Sequence, residues 1–134
     1  MPFTRISLRR GKDAAYHAAL RQGVFTAMRS TFDVPAEDRF IVIHEHDPSS
    51  FDFGPNYLDI ARSEDLVMIQ ITANNTRSTA QKQAFYKAIC DTLTRDPGLR
   101  PEDVFISLVE VAKENWSFGH GLAQYAEPIS ARDA

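Results

Sequence analysis

The chain has 134 residues, of which 43% are hydrophobic and 25% charged, and its formal net charge is −3 at pH 7. These values are typical of a globular domain, so we expect residues 1–134 to form a single domain. Acidic and basic residues are interspersed, and no apolar stretch is long enough to cross a bilayer, so we expect neither a nucleic-acid nor a membrane partner. The chain has one cysteine, Cys90, and no signal-peptide pattern, which together favour a cytoplasmic protein.

The first half of the chain predicts a strand, a helix and a second strand. The strand covers residues 2–8, and apolar residues then recur at helical spacing over about 12–31. A turn with the sequence "DVPAED" separates this helix from the second strand, at 39–46. Residues 47–64 follow as a long connection that is rich in turn formers.

The second half predicts the same order of elements. A strand at 66–73 precedes a helix over about 78–94. Ser78 and Gln81 have the spacing of a capping box at the start of that helix. The turn "DPGLRPED" then leads into a strand at 104–111.

The two halves are also similar in sequence, which indicates a duplicated unit. "PAEDRFIVIHE" aligns with "RPEDVFISLVE", and the same offset matches the helices and the first strands without a gap. The pseudo-repeats are therefore about 2–46 and 66–111. We predict an α+β fold with two layers, in which tandem β-α-β units form a four-stranded sheet with both helices on one face. Because the strands are apolar on both sides, we expect an oligomer to cover the open face.

Pro2 is a candidate for chemistry. Removal of Met1 would give it a free secondary amine, whose pKa an apolar pocket would lower and a nearby carboxylate would raise. The aligned residue of the second repeat is Val67, so the duplicated scaffold does not require proline here. The alternative is that proline simply marks the first position of a strand.

Arg77 and Asp38 are further candidates. Arg77 precedes the second helix, where a guanidinium and backbone amides favour an anion. The equal alternative is a surface residue, since Arg77 aligns with Lys12 at the start of the first helix. Asp38 begins a strand and aligns with Asp103. Both aspartates fit turn positions, but Asp38 is also suited to orient a water molecule or to hold a proline amine cationic.

Residues 112–134 are predicted to form an aromatic loop and a C-terminal tail. Trp116 and Phe118 are two residues apart, so in extended chain their rings point the same way and can form the wall of a small apolar pocket. Filling the core or a subunit contact is the competing interpretation of these rings.

Three other residues are assigned structural roles. His44 and His46 share one strand face but have no third ligand at a suitable spacing, so we expect no metal site. Cys90 lies among apolar residues inside a helix, which favours a small buried hydrophobe over a nucleophile.

Taken together, these motifs resemble the tautomerase superfamily, and most closely its malonate semialdehyde decarboxylase-like branch. The resemblance covers nearly the whole chain and rests on the "MP" start, "VPAEDRF", "RSTAQKQAFYKAI", "PEDVFISLVE" and "WSFGHG". It implies a homotrimer that acts without a cofactor on a small anionic oxo acid.

The resemblance also implies a role for each matching residue. Pro2 would be the catalytic proline, and Asp38 would interact with it or with an attacking water. Arg77 would bind and polarise the substrate carboxylate. Trp116 and Phe118 would form the hydrophobic wall.

One position departs from the decarboxylase pattern. Asn75 stands where relatives have a second arginine, although its side chain can still donate a hydrogen bond. The expected activity is decarboxylation of a 3-oxo acid such as malonate semialdehyde. The alternatives are a keto–enol tautomerase of 2-oxo acids, of the phenylpyruvate type, and a non-catalytic ligand-binding or signalling module on the same scaffold.

Overall fold

A computed structural model describes residues 1–126 of the chain. It has four strands and two long helices, and every predicted boundary of these elements lies within two residues of the observed one. The elements are β1 (Phe3–Arg9), α1 (Ala14–Phe32), β2 (Ile41–His46), β3 (Val67–Asn74), α2 (Thr79–Arg95) and β4 (Val104–Val111). The end of the predicted C-terminal tail, residues 127–134, lies outside the described residues.

The four strands form one mixed sheet in the order β2-β1-β3-β4. β1 is parallel to β2 and β3 is parallel to β4, whereas β1 and β3 are antiparallel. The predicted two-layer α+β fold with two β-α-β units is therefore confirmed. Because the central pair is antiparallel, equivalent positions of the two units lie at opposite ends of the sheet. The start of β1 thus lies beside the start of β2 and the end of β3.

Both helices pack on the same face of the sheet and begin with a side-chain cap. Asp13 accepts a hydrogen bond from the Tyr16 amide at the start of α1, and Ser78 and Gln81 form the predicted capping box of α2. Gly23 brings the helices together, because a Cβ at this position would lie 2.7 Å from the Leu93 side chain. The core between helices and sheet consists of large buried apolar residues, including Ile6, Leu20, Val24, Met28, Ile69, Ile71, Phe85 and Ile89.

The other face of the sheet carries exposed apolar side chains, in agreement with the strand pattern. Phe105 is 46% exposed, and Val42 and Val109 are also exposed. An unpartnered apolar sheet face is typical of a surface that a second copy covers. Within residues 1–126, no helix combines the length and the apolar character that a membrane span requires.

The long connection after β2 packs at the end of the sheet opposite the N-terminus. Its Phe51 is buried, and its Glu64 lies 3.4 Å from Arg9 at the end of β1. β1 has seven residues from Phe3 to Arg9, so its two ends are about 20 Å apart at 3.3 Å per residue. The segment 47–64 therefore does not close over the N-terminal end of β1.

Candidate active site

The N-terminus is held inside the fold. Pro2 is buried, and the amide of Thr4 donates to the Phe40 carbonyl at 3.0 Å, which fixes the start of β1 beside the turn before β2. The amino nitrogen of Met1 lies 3.9 Å from Asp38 Oδ2, and the two side chains are only 7% and 15% exposed. Removal of Met1 would leave the Pro2 nitrogen as the terminal amine in this region.

Asp38 faces the N-terminus from the turn that precedes β2. Its amide donates to the Pro35 carbonyl at 3.0 Å, so the turn fixes the backbone of the carboxylate-bearing residue. Within the described chain, Oδ1 is buried and has no hydrogen-bond partner. Burial raises the pKa of the Asp38 carboxyl, against the opposing charges of the N-terminus and Arg77.

Arg77 is held at the junction of β3 and α2. Its guanidinium lies 4.6 Å from the ring centroid of Phe32, and Nη2 donates to the Phe32 carbonyl at 3.4 Å. Its Nη1 is buried without a hydrogen-bond partner in the part of the chain that the structure describes. Ser78 accepts a hydrogen bond from the Gln81 amide at the start of α2, so the guanidinium rather than this amide is available to an anion.

The predicted aromatic wall lies beside the N-terminus, but only one of its two residues, Phe118, lines the pocket there. Phe118 lines a pocket of about 360 Å³ together with Asp38 and Tyr125. Trp116 stacks on Phe118 with a centroid distance of 5.5 Å and an interplanar angle of 18°. Phe118 in turn meets Tyr125 edge-on at 4.9 Å. Trp116 is not among the described residues that line this pocket, so its contribution is the stacking contact with Phe118.

Asn75 does not join this group. It is exposed, and its backbone amide donates to the Val111 carbonyl at 3.0 Å. The structure therefore brings Pro2, Asp38, Arg77 and Phe118 to one end of the sheet, while Asn75 remains at the surface beside it.

Two residues of this region were missed by the sequence reasoning. Tyr125 lines the pocket, and burial together with the negative charge of Asp38 raises the pKa of its hydroxyl. Lys113 lies just after β4, and its positive charge acts on the N-terminus. The only sequence signal for either was membership of the aromatic segment after the last strand.

The pKa of the N-terminal amine is set by burial and by three nearby charges. Burial lowers the pKa of the Met1 amino group most strongly, Asp38 raises it, and Arg77 and Lys113 lower it further. An amine, a carboxylate and a guanidinium at one partly apolar site can perform proton transfer or attack a carbonyl.

The two histidines of β2 and Cys90 have the surroundings of structural residues. Arg5 Nη1 donates to His44 Nε2 at 3.1 Å, and the His46 ring packs on Phe51 with a centroid distance of 5.6 Å. Residues 1–126 contain no group of three metal-ligating side chains that could hold a metal ion. Cys90 is partly buried, and burial raises the pKa of its thiol.

Comparison with known proteins identifies the family. Two family models, both described as "Tautomerase enzyme", match residues 2–60 and 38–119. The "Probable tautomerase YusQ" of Bacillus subtilis (strain 168) is 38% identical over 127 residues, which are 95% of this chain and 100% of the relative. The "Probable tautomerase YrdN" of the same organism is 31% identical over 93% of this chain and 96% of its own length.

Solved structures agree with this assignment. A malonate semialdehyde decarboxylase superposes with a TM-score of 0.88 at 32% identity, over 98% of both chains. The FG41 malonate semialdehyde decarboxylase inhibited by 3-bromopropiolate superposes with a TM-score of 0.86 at 33% identity, over 94% of this chain and 99% of that one. The chain therefore belongs to the tautomerase superfamily, in its malonate semialdehyde decarboxylase-like branch.

Proposed function

We propose that the chain is an enzyme that uses the amine of Pro2, after removal of Met1, to decarboxylate a small 3-oxo acid such as malonate semialdehyde. The observation that carries this proposal is a pair of buried atoms, Asp38 Oδ1 and Arg77 Nη1, that have no hydrogen-bond partner within the described chain. Leaving such a group unpaired costs about 1–3 kcal/mol. The unpaired guanidinium donor is suited to an anionic ligand, and the unpaired carboxylate oxygen is suited to a cationic amine or a water molecule. The similarity to two malonate semialdehyde decarboxylases supports the choice of substrate.

Substrate binding is assigned mainly to Arg77. Its stacking on Phe32 and its bond to the Phe32 carbonyl restrict the guanidinium, so that Nη1 can meet a carboxylate at little cost in entropy. Lys113 adds positive charge near the amine. The pocket of about 360 Å³ that Asp38 and Phe118 line has room for a three-carbon acid. Arg77 is not among the described residues that line it, but its charge acts on the N-terminal amine beside it.

The reaction then follows from the amine and the apolar wall. The cationic Pro2 amine donates a hydrogen bond to the C3 carbonyl oxygen, or the neutral amine adds to that carbonyl and the adduct takes up a proton and loses water to form an iminium. The bond between C2 and the carboxylate carbon breaks, CO₂ leaves, and its electron pair moves into the carbonyl or iminium. C2 then takes up a proton, and hydrolysis of any iminium releases acetaldehyde and the free amine. Asp38 stabilises the cationic amine, while Phe118 and Tyr125 exclude water from the carboxylate.

One observation favours a second activity at the same site. Burial is the largest influence on the amine at the N-terminus, and it lowers the pKa of that amine. A neutral Pro2 amine is suited to move the α-proton between the keto and enol forms of a 2-oxo acid such as phenylpyruvate. Tautomerisation is therefore the alternative function, with Pro2 as base and Arg77 again as the carboxylate ligand.

The active form is proposed to be a cytoplasmic homotrimer. The exposed Phe105, Val42 and Val109 on the open sheet face support an oligomer, while the number of subunits rests on the family resemblance. Light scattering after size-exclusion chromatography gives the mass directly. A monomer at micromolar concentration would contradict the trimer.

A proton NMR time course with 3-oxopropanoate tests the activity. We expect acetaldehyde from the wild-type protein and a rate lower by about 100-fold or more with Pro2→Ala. Equal rates for the two proteins would contradict proline catalysis. Without product from either protein, the same pair is assayed with enol phenylpyruvate. Ketonisation that depends on Pro2 would then establish the tautomerase, and its absence would indicate the non-catalytic binding module.

A further inference from the structure

The aromatic segment beside the pocket is anchored to the sheet by one buried amide. Trp116 Nε1 donates to Asn74 Oδ1 at 2.8 Å. Asn74 is only 7% exposed and is the last residue of β3, where it pairs with Val111 of β4. The acceptor is therefore fixed on a hydrogen-bonded strand of the sheet.

A second amide holds the segment from within. Gln124 Oε1 accepts from the Phe118 amide and Gln124 Nε2 donates to the Gly119 carbonyl, both at 2.9 Å. The backbone between these contacts has positive φ at Gly119, His120 and Gly121. Within the described chain, one backbone hydrogen bond closes this turn, from the Leu122 amide to the Gly119 carbonyl at 3.3 Å, so the side-chain bonds of Gln124 add to the few contacts that hold its shape.

The side-chain amides of Asn74 and Gln124, the two anchors of this segment, act on the rings of the pocket. Asn74 fixes Trp116, on which Phe118 stacks, and Gln124 fixes the backbone of Phe118 itself. Phe118 then holds Tyr125 through their edge-on contact. Phe118 and Tyr125 are the two rings of this segment that line the pocket.

We propose that Asn74 and Gln124 are positioning residues of the active site, which hold Phe118 and Tyr125 against the reacting amine. The inference rests on the proposed function, since it assigns these amides a role in the same reaction. A buried amide such as Asn74 is costly unless it is paired, and an apolar residue would fill the same space, whereas Gln124 is partly exposed. Their value lies in preorganisation, because a wall displaced by about 1 Å weakens both the exclusion of water and the alignment of the substrate.

Trp116 provides a direct readout, because it is the only tryptophan of the chain. Its single indole N–H resonance reports the contact with Asn74 without any need for turnover. In Asn74→Leu we expect this resonance to move upfield and its proton to exchange faster with water. An unmoved resonance would overturn the proposal.

Activity separates positioning from a purely structural role. In Asn74→Leu we expect kcat/KM to fall about tenfold, because the indole donor is left unpaired and the wall loosens. Trp116→Phe should cause a similar loss, and the double variant should lose no more than the worse single variant, since both changes remove one contact. Additive losses, or a shifted resonance with unchanged kcat/KM, would contradict the proposal.

The second anchor has a matched control on the surface. Gln124→Leu should lower kcat/KM by a similar factor, whereas Gln83→Leu, on the exposed side of α2, should leave it unchanged. Equal effects of the two substitutions would overturn the role of Gln124.

Failure of the proposed reaction is distinguishable from failure of the anchors. If the wild type converts neither oxo acid, binding of 3-oxopropanoate is followed by the fluorescence of Trp116. Weaker binding by Asn74→Leu than by the wild type would still support positioning. Equal binding, or no binding by either protein, would overturn it.

Discussion

The two β-α-β units have the same fold, but their equivalent aspartates have opposite surroundings. Asp103 of the second unit is 1% exposed and accepts hydrogen bonds from the Ser63 amide at 2.7 Å and the Ser63 hydroxyl at 2.6 Å. Asp38 of the first unit lies 3.9 Å from the N-terminal amine, and its Oδ1 is unpaired within residues 1–126. The Asp103 carboxylate is therefore satisfied by its own chain, whereas the Asp38 carboxylate keeps an unpaired oxygen.

The equivalent cations differ in the same way. Lys12 of the first unit lies 2.9 Å from Asp65 in the segment that follows β2. Arg77, its counterpart in the second unit, retains a buried Nη1 without a partner in the described chain. The lysine is thus paired with a carboxylate, whereas the arginine keeps a buried donor unpaired. Among the described residues, buried unpaired atoms also occur at the opposite end of the sheet, at Arg9 Nε and His46 Nε2, so the N-terminal end differs in leaving both an acidic and a basic side chain with an unpaired atom beside the terminal amine.

The largest expected effect separates Pro2 from its counterpart Val67. Pro2→Ala should lower turnover by about 10²- to 10⁴-fold, because the secondary amine is the reagent. Val67 is fully buried, so Val67→Ala should instead lower the free energy of unfolding by about 2 kcal/mol through lost packing. Steady-state kinetics and urea unfolding of both variants check this crossed pattern. A Val67→Ala protein as inactive as Pro2→Ala would remove the distinction between the units.

The next effect separates Arg77 from Lys12. Arg77→Met should lower kcat/KM roughly 10- to 100-fold, since it removes a charged donor to the substrate carboxylate. Lys12→Met breaks an exposed ion pair, which contributes less than about 1 kcal/mol to folding, and should leave kinetics unchanged. Initial rates over a range of oxo-acid concentrations test both expectations, and a loss of activity in Lys12→Met would contradict the account.

The aspartates should differ in the sign of their effect on stability. Asp103→Asn should lower the free energy of unfolding by about 2–3 kcal/mol, because the amide cannot accept both bonds from Ser63. Asp38→Asn should raise it by up to about 1 kcal/mol while turnover falls, since a buried carboxylate is replaced by a neutral group. Urea denaturation gives both values. Destabilisation of equal size in the two variants would show that Asp38 is a structural residue.

The smallest effect concerns pH. Burial raises the pKa of Asp38 in the folded state, so folding favours its protonated form. Its contribution to stability is therefore fully present below the unfolded pKa of about 3.9 and is lost as the pH rises through the higher folded pKa. The stability gain of Asp38→Asn over the wild type should be largest at neutral pH and vanish near pH 4. Urea midpoints between pH 4 and pH 7 measure this, and a gain that grows toward low pH would have the wrong sign.

Much of the fold could be predicted because it depends on local patterns. Helical spacing and the Ser78–Gln81 capping box located the helices, and the internal similarity gave both β-α-β units. The roles of Asp38 and Arg77 were suggested by motif resemblance, and the structure places both residues within electrostatic reach of the N-terminus.

The remaining features depend on long-range geometry. Tyr125 and Lys113 reach the site only through the irregular path of the chain after β4, which has no periodic signal. In the sequence Asn74 has the pattern of an ordinary strand residue. Its contact with Trp116, 42 positions later, is visible only in the structure. The sequence of segment 47–64 likewise gave no sign that Ser63, near its end, donates to Asp103 at the opposite end of the sheet.

The most direct test of the central claim blocks the Pro2 nitrogen without changing any side chain. The structure accommodates Met1 before Pro2 with the amino group facing Asp38, so a short N-terminal extension should leave the fold intact. Turnover of 3-oxopropanoate is compared between this extended chain and the chain from which Met1 has been removed, each verified by intact mass. We predict turnover only by the chain with the free proline amine. Equal turnover by the two chains would contradict the account.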